Sequence, residues 1–174
     1  RSYTYPEIVQ MAEQAVPFIR FVNPDDPRFA NPACMTKAIA SYCEETGQPV
    51  PVTDAEFIRC IFESLALRYN EVIRMLKEMA PFRIDRLHVI GGGSKNTLLN
   101  QFTANAIGMP VIAGPSEATA IGNAMIQARS AGIVSTHWEM RRLIAGSVHT
   151  ETFLPQEEMI WKEVYEKYIE IVKR

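Results

Sequence analysis

The feature that most limits how this chain can fold is an alternation of segments between residues 54 and 129. It opens with a long amphipathic segment, for which Thr53 and Glu56 form a capping box and Pro81 marks the end. A stripe of apolar residues this long and one-sided has to be buried, and we expect it to pack on a sheet. The stripe consists of Ile58, Ile61, Phe62, Leu65, Tyr69, Val72, Ile73 and Leu76.

Two short apolar runs, 86–90 and 110–113, follow the long helix and are typical of strands. Each run ends at a glycine-containing turn and is succeeded by a further helical pattern. The first of these helices is expected to stop at Gly108, and the second, 117–129, to be capped by Ser116. Helix, strand, turn, helix, strand, turn and helix in this order predict an α/β layer with parallel strands.

The flanking segments are predicted from their own periodicity and punctuation. Helices are expected at 6–16 and 33–46, separated by a structured loop with four prolines. Thr136 and Glu139 predict the start of a short helix, and 147–154 is either an edge strand or simply extended. A last helix is expected to begin with Pro155 at its first position. Its inward residues are predicted to be Trp161, Val164, Tyr165, Tyr168 and Val172.

Composition excludes several classes of protein. The sequence has 174 residues, of which 47% are hydrophobic and 22% charged, with a net charge of -2. These values fit a soluble globular protein without a basic surface for nucleic acid. No apolar run approaches the roughly 20 residues that span a bilayer, and the first residues do not form a secretory signal. We therefore expect a cytoplasmic protein.

The three cysteines, Cys34, Cys43 and Cys60, are an odd number without the spacing of a metal site. Such usage favours free thiols in a reducing compartment. Cys43 and Cys60 could also meet across the loop between two helices, so a disulfide between them stays open as the less favoured alternative.

Three consecutive glycines, Gly91, Gly92 and Gly93, separate the first strand from the next helix. Glycine lets a ligand approach the backbone without a Cβ in the way, and free N–H groups before a helix favour an anion, most often phosphate. A tight turn that merely uses glycine is the alternative. Asn96 is expected either to cap the following helix or to reach the ligand. Gly114 begins a second turn of this kind, at the same edge of the sheet.

The two common nucleotide motifs do not fit this turn. A Walker A loop needs Lys directly after Gly, whereas Lys95 here follows Ser94. The dinucleotide fingerprint needs a third glycine where Asn96 stands and a carboxylate at the end of the next strand, which ends in Ala113 and Gly114.

The segment 87–128, "LHVIGGGSKNTLLNQFTANAIGMPVIAGPSEATAIGNAMIQA", resembles the carboxy-terminal domain of FGGY carbohydrate kinases. The similarity extends to 20–32 and 54–69, and it implies a ribonuclease H-like, actin-type ATPase fold with ATP in the cleft between two domains. By resemblance, Gly92 lies against ATP, Gly91 and Gly93 shape the turn, and Asn96 reaches toward the nucleotide. Gly122 would let the next helix pack closely.

The resemblance is strongest to family members that phosphorylate L-rhamnulose at its 1-hydroxyl, with ATP as donor and Mg²⁺ on the phosphates. It implies that residues 1–174 form one partial carboxy-terminal domain, with the sugar held mainly by an absent amino-terminal part. No residue is assigned as catalytic or as a metal ligand, so we expect the isolated chain to be inactive. An incomplete sheet would also expose an edge through which two chains could pair.

Two other interpretations stay open at the level of sequence. One is a stand-alone nucleotide-binding or assembly module without catalytic activity. The other is a piece of a dinucleotide-dependent oxidoreductase, against which the missing carboxylate after the second strand argues.

Overall fold

The computed structural model describes residues 3–173, and within this range the chain forms seven α-helices and three short strands. In chain order these are α1 (Tyr5–Gln14), α2 (Met35–Glu45), α3 (Asp54–Met79), β1 (Leu87–Val89), α4 (Thr97–Ile107), β2 (Val111–Ala113), α5 (Ala118–Ser130), α6 (His137–Ser147), β3 (Glu151–Phe153) and α7 (Glu158–Val172). Single turns of 3-10 helix occupy Pro27–Phe29 and Gly92–Lys95.

The sheet has the order β1-β2-β3. Strands β1 and β2 are parallel, with Leu87 opposite Val111 and Val89 opposite Ala113. Strand β3 returns antiparallel to β2, with Phe153 opposite Val111. The predicted parallel pair is confirmed. Of the two alternatives for 147–154, the structure shows the edge strand, at Glu151–Phe153.

Helix α3 begins at the predicted capping box. The Thr53 hydroxyl accepts from the Glu56 N–H at 3.3 Å, and the Glu56 carboxylate accepts from the Thr53 N–H at 2.9 Å. Helix α3 packs chiefly against α4 and α1, and of its predicted stripe Ile73 lies in the cluster that covers the strands, so the expected packing on the sheet is found only around that residue. Helix α4 contributes Phe102 and Ala106 to the cluster that contains α3, and Ala104 and Ile107 to the cluster that covers the strands. Helix α4 therefore lies between most of the apolar stripe of α3 and the sheet.

The buried face of α3 is less apolar than its periodicity indicates. Tyr69 and Leu76, which were predicted inward, are 41% and 42% exposed, whereas Glu63 is 1% exposed. The Glu63 carboxylate pairs with Arg59 and accepts from the Phe18 N–H at 2.9 Å. Burial raises the pKa of Glu63, although the charge of Arg59 opposes this. The buried carboxylate thus fixes the chain that leaves α1.

The main core lies where α1, α3, α4 and α7 meet. Helix α7 supplies the predicted Trp161, Val164, Tyr165 and Tyr168, all buried. The helix starts at Glu158, however, and not at Pro155. The preceding segment is held extended by α4, since the Gln156 N–H donates to the Asn105 side chain at 2.9 Å. Helical backbone therefore begins only after Glu157, whose φ is 53°.

The proline-containing loop is fastened by side chains of neighbouring helices and of the segment after α2. Gln48 accepts from the Phe21 N–H at 2.7 Å, and Ser64 accepts from the Val22 N–H at 3.0 Å. Asp25 pairs with Arg68 of α3 at 2.6 Å. The loop is therefore ordered without helical or sheet bonding over most of its length, as the sequence predicts.

Cys43 and Cys60 do meet, in the cluster beneath this loop, but as free thiols. The disulfide alternative is therefore not the arrangement found. The neighbouring Cys60 thiol lowers the pKa of Cys43, while the proximity of Cys43 and burial raise the pKa of Cys60.

Helix α6 begins as the sequence predicts, whereas α5 does not. Thr136 caps α6 as predicted, accepting from the Glu139 N–H at 3.1 Å. Ser116 does not cap α5, because Glu117 occupies the N-cap position, without a side-chain cap bond. No residue of α5 is buried. Within residues 3–173, no helix is long and apolar enough to cross a membrane.

Candidate functional site

Two turns lie side by side where the parallel strands end. The first contains Gly91, Gly92 and Gly93 after β1, and the second starts at Gly114 after β2. The Gly114 N–H donates to the Val89 carbonyl at 2.8 Å, and the Gly91 N–H donates to the Pro115 carbonyl at 3.0 Å. These bonds extend the pairing of β1 and β2 past the end of the sheet. The two turns are thus one surface at the edge where open α/β sheets bind ligands.

The three glycines have different roles. Gly91 has a φ of 78°, in the left-handed region that glycine adopts at little cost. Gly92 and Gly93 have no such φ and begin the 3-10 turn, and both are exposed. A Cβ built on either would meet nothing within 4 Å. The fold itself therefore requires only Gly91, and at Gly92 and Gly93 the backbone is left open to an approaching group.

Asn96 is the N-cap of α4 in this structure. Its side-chain oxygen accepts from the Leu99 N–H at 3.0 Å, and the residue is 4% exposed. Of the two roles that the sequence left open, the structure shows the cap. The helix then ends at Gly108 in left-handed conformation, as predicted.

Two further side chains brace the glycine turn. The Ser94 hydroxyl donates to the Gly91 carbonyl at 2.7 Å, and the side-chain amide of Asn100 donates to the Ser94 carbonyl at 2.9 Å. Ser94 is 9% exposed and Asn100 is 2% exposed. Sequence reasoning missed both. The available signal was an asparagine in the first turns of the helix that directly follows the glycines.

Gly114 is required by a close approach that the sequence did not reveal. A Cβ at this position would lie 2.8 Å from the His149 carbonyl, and the φ of Gly114 is 112°. His149 belongs to the segment that returns to form β3, so Gly114 lets that segment lie against the second turn. By contrast, a Cβ on Gly122 would meet nothing within 4 Å, so the expectation of close helix packing there is wrong for this chain.

The cavities around the sheet differ in position. One of about 320 Å³ borders the glycine turn and is lined by Lys95 and Thr97 together with α1 residues such as Tyr5 and Glu13. Another of about 540 Å³ lies at the opposite end of the strands, beside Ile84 and Pro110. Only the first adjoins the turns. Lys95 is exposed.

Acidic groups are not gathered at the turns. Asp25 pairs with Arg68, Asp26 with Arg28 and Asp85 with Arg86, all away from the glycines. Among residues 3–173, no group of three or more His, Cys, Asp or Glu side chains is arranged to hold a metal ion. The described surface thus offers backbone and small polar groups rather than an acid–base constellation.

Comparison with known proteins places this geometry in a family. The model for the C-terminal domain of the FGGY family of carbohydrate kinases matches residues 3–131. A rhamnulokinase of Bacteroides thetaiotaomicron is 55% identical over 93% of this chain and 33% of its own length. A rhamnulokinase of Ligilactobacillus salivarius is 41% identical over 90% of the chain and 32% of its own length. A rhamnulokinase of Pectobacterium atrosepticum is 42% identical over 87% of the chain and 30% of its own length.

Solved structures support the same fold at lower identity. Plasmodium falciparum glycerol kinase, crystallised with ADP, superposes with a TM-score of 0.63 at 16% identity, over 95% of this chain and 33% of its own. Xylulose kinase from Rhodospirillum rubrum gives a TM-score of 0.54 at 20% identity, over 71% of this chain and 25% of its own. The sequence covers about a third of the length of the curated relatives it matches. With the match to residues 3–131, the chain belongs to the FGGY family of carbohydrate kinases, in its C-terminal domain.

Proposed function

We propose that this chain forms the ATP-binding wall of a kinase that transfers the γ-phosphoryl group of ATP to the 1-hydroxyl of L-rhamnulose. The sugar assignment is supported by the relatives named rhamnulokinase, which match at 41–55% identity along nearly the whole chain. In this proposal residues 1–174 act as one carboxy-terminal domain, in which α7 and β3 complete the core outside the matched residues 3–131.

The observation that carries the nucleotide assignment is the open surface of the joined turns. Gly92 and Gly93 are exposed and have free space where a side chain would stand, so a phosphate chain can lie directly against the backbone. Gly91 sets the direction of the turn through its positive φ. Asn96 fixes the start of α4 behind the turn, because its side chain caps the Leu99 N–H and is buried there. This fit supports ATP contact at Gly92 and Gly93, with Gly91 and Asn96 as the members of the proposed site that fix the turn and the start of α4 beside them.

Phosphoryl transfer of this kind depends on positioning and on stabilising charge on the phosphates. Mg²⁺ on the ATP phosphates supplies part of that charge stabilisation. Within the described residues we find no acidic cluster to hold the ion, so this chain would meet Mg²⁺ through the nucleotide. The contribution of the chain is to hold ATP against rigid backbone, and the group that accepts the sugar proton is proposed to lie outside it.

Replacing Gly92 with valine in the full-length protein tests the ATP site. The fold tolerates this change, because the φ of Gly92 is not positive and the space is open. A branched side chain there would block the phosphates, so the KM for ATP should rise by about tenfold or more while the KM for L-rhamnulose stays nearly constant. Gly146→Val in α6, also in open space, is the matched control. An unchanged KM for ATP in folded Gly92→Val contradicts the assignment.

Two further experiments test which sugar is the substrate and whether this chain is active without the rest of the protein. The full-length protein should turn over L-rhamnulose in preference to xylulose or glycerol in a coupled assay with ATP and Mg²⁺. The isolated chain should give no measurable turnover, since general-base assistance alone is worth about 10²–10⁴-fold. Turnover by the isolated chain would show that it is more than one wall of the site, and preference for another sugar would overturn the substrate.

A further inference from the structure

A run of three glycines needs support from outside itself. Glycine samples more backbone conformations than any other residue, so holding it in one conformation costs the most entropy. Ligand binding to an unsupported turn would have to meet this cost. In this structure hydrogen bonds hold the glycine turn on two sides.

On one side the contacts form a relay that starts in α4. The buried Asn100 amide donates to the Ser94 carbonyl at 2.9 Å, and the Ser94 hydroxyl donates to the Gly91 carbonyl at 2.7 Å. On the other side, the Gly91 N–H donates to Pro115 at 3.0 Å. Gly91 is thus fixed through both of its backbone polar groups, and the relay connects it to the helix that covers the sheet.

The side-chain bond of Asn100 is not required for α4 to form. The backbone N–H of Asn100 already bonds to the Asn96 carbonyl within the helix, and the Asn96 side chain caps it. The Asn100 side chain instead spans six residues back along the chain to the turn. A residue that only filled the core here could be apolar, like its neighbours Leu99 and Phe102 in the same helix. The polar group is directed at the turn.

We infer that Asn100 and Ser94 are positioning residues that hold the glycine turn in the conformation that receives the ATP phosphates. This inference rests on the proposed ATP site and names the side chains that preorganise it. Neither side chain is assigned a contact with ATP. Their effect passes through the backbone of Gly91, Gly92 and Gly93.

The test uses Asn100→Leu and Ser94→Ala in the full-length protein. Each removes one hydrogen bond of the relay, so the KM for ATP should rise about three- to tenfold with the KM for sugar unchanged. Hydrogen exchange of amides 91–96 without ATP should accelerate by a similar factor. Exchange separates loosening of the turn from a general loss of stability.

Asn105→Leu is the matched control. Asn105 is an equally buried amide on α4, 5% exposed, but its side chain accepts from the Gln156 N–H, away from the turn. It should destabilise the protein to a similar extent while leaving the KM for ATP and the exchange of 91–96 unchanged. Equal effects of Asn105→Leu and Asn100→Leu on both readouts would overturn the inference.

The result with Gly92→Val separates failure of this inference from failure of the proposed function. If Gly92→Val raises the KM for ATP and neither Asn100→Leu nor Ser94→Ala does, the ATP site stands and the positioning role is wrong. If Gly92→Val also leaves that KM unchanged, both are wrong. Should Asn100→Leu not fold, Ser94→Ala decides alone, since it removes the hydroxyl without burying a new group.

Discussion

The body of the molecule, formed by α1, α3, α4, α7 and the strands, and the segment 115–148 both carry amphipathic helical patterns but pack very differently. In the body, Ala66, Leu67 and Tyr168 have no exposed surface and Trp161 is 1% exposed. In the segment 115–148, α5 has no buried residue and Met140 is the buried residue of α6. Trp138 and Ile133 are 77% and 75% exposed. An amphipathic pattern therefore predicts a helix equally well in both regions, but it does not tell whether the apolar face has a partner.

The sharpest test of this difference compares two tryptophans. Trp161 lies edge-on to Phe18, with ring centroids 5.1 Å apart, and packs against Phe102 at 5.3 Å. Trp161→Ala should lower the free energy of unfolding by about 3–5 kcal/mol, as for other buried aromatic residues. Trp138→Ala should change it by less than about 0.5 kcal/mol. Chemical denaturation of both variants measures this, and similar losses would show that the segment 115–148 is as firmly packed as the body.

A second comparison uses two glycines. Gly114→Ala would place a Cβ 2.8 Å from the His149 carbonyl at a φ of 112°, so we expect a loss of about 2–4 kcal/mol. Gly122→Ala in α5 meets open space and should stabilise the chain by about 0.5–1 kcal/mol through its helix propensity. Thermal unfolding of the two variants measures both. A destabilised Gly122→Ala would reveal packing of α5 that the present contacts do not include.

A third comparison uses two glutamates that cap helices, Glu56 in the body and Glu139 in the segment 115–148. The expected effect on stability is smaller and depends on pH. Hydrogen bonds from the Thr53 and Val52 N–H groups, with help from Arg20, lower the pKa of Glu56 to about 2. Because this pKa lies below the ordinary value of 4.5, the stabilisation is complete above pH 4.5 and is lost as the pH falls through 2. Glu56→Gln should therefore cost about 1 kcal/mol at pH 7, and this cost should shrink as the pH falls from 4.5 through 2.

Glu139→Gln in α6 is the control for this effect. Glu139 accepts from the Ser135 N–H at 2.9 Å, whereas Glu56 accepts from two N–H groups and pairs with Arg20 at 3.2 Å. We expect a smaller loss at pH 7 for Glu139→Gln. Unfolding curves between pH 2 and 7 measure both, and a pH-independent effect of Glu56→Gln would contradict the assignment.

The weakest expected effect concerns association through the body. Among the described residues β1 pairs only with β2, so its outer edge is open, as predicted for an incomplete sheet. The edge is three residues long, so pairing of two chains through it should appear only at high concentration. His88→Pro removes the outward N–H and should abolish the association, whereas Lys95→Ala should not. Light scattering that shows no concentration dependence would contradict the pairing.

The sequence predicted those parts of the fold that depend on local contacts. The capping box at Thr53 and the stop at Gly108 involve residues within one turn, so their positions were correct. The start of α7 was wrong because Asn105, about fifty residues away, holds the preceding segment extended. Glu63 and Asn100 are buried for the same kind of reason: their partners, Phe18 and Ser94, lie outside the local helical pattern.

In the candidate site, too, the sequence predicted the local feature and not the features that depend on distant contacts. Three glycines after a strand indicate an open backbone from sequence alone, and the structure shows that surface. The sequence could not tell that Gly91 alone among them needs a positive φ, or that the second turn is bonded to the first. Both facts depend on how β1 and β2 are placed beside each other.

The approach of Gly114 to His149 has an evolutionary consequence. It closes the segment 115–148 at its base, because β2 ends at Ala113 and β3, which starts at Glu151, pairs directly with it. The cost of closing such a loop rises only slowly with its length, so residues can be gained or lost within it while the base stays intact. We expect length differences among relatives to gather in this segment and to spare the two residues at its base.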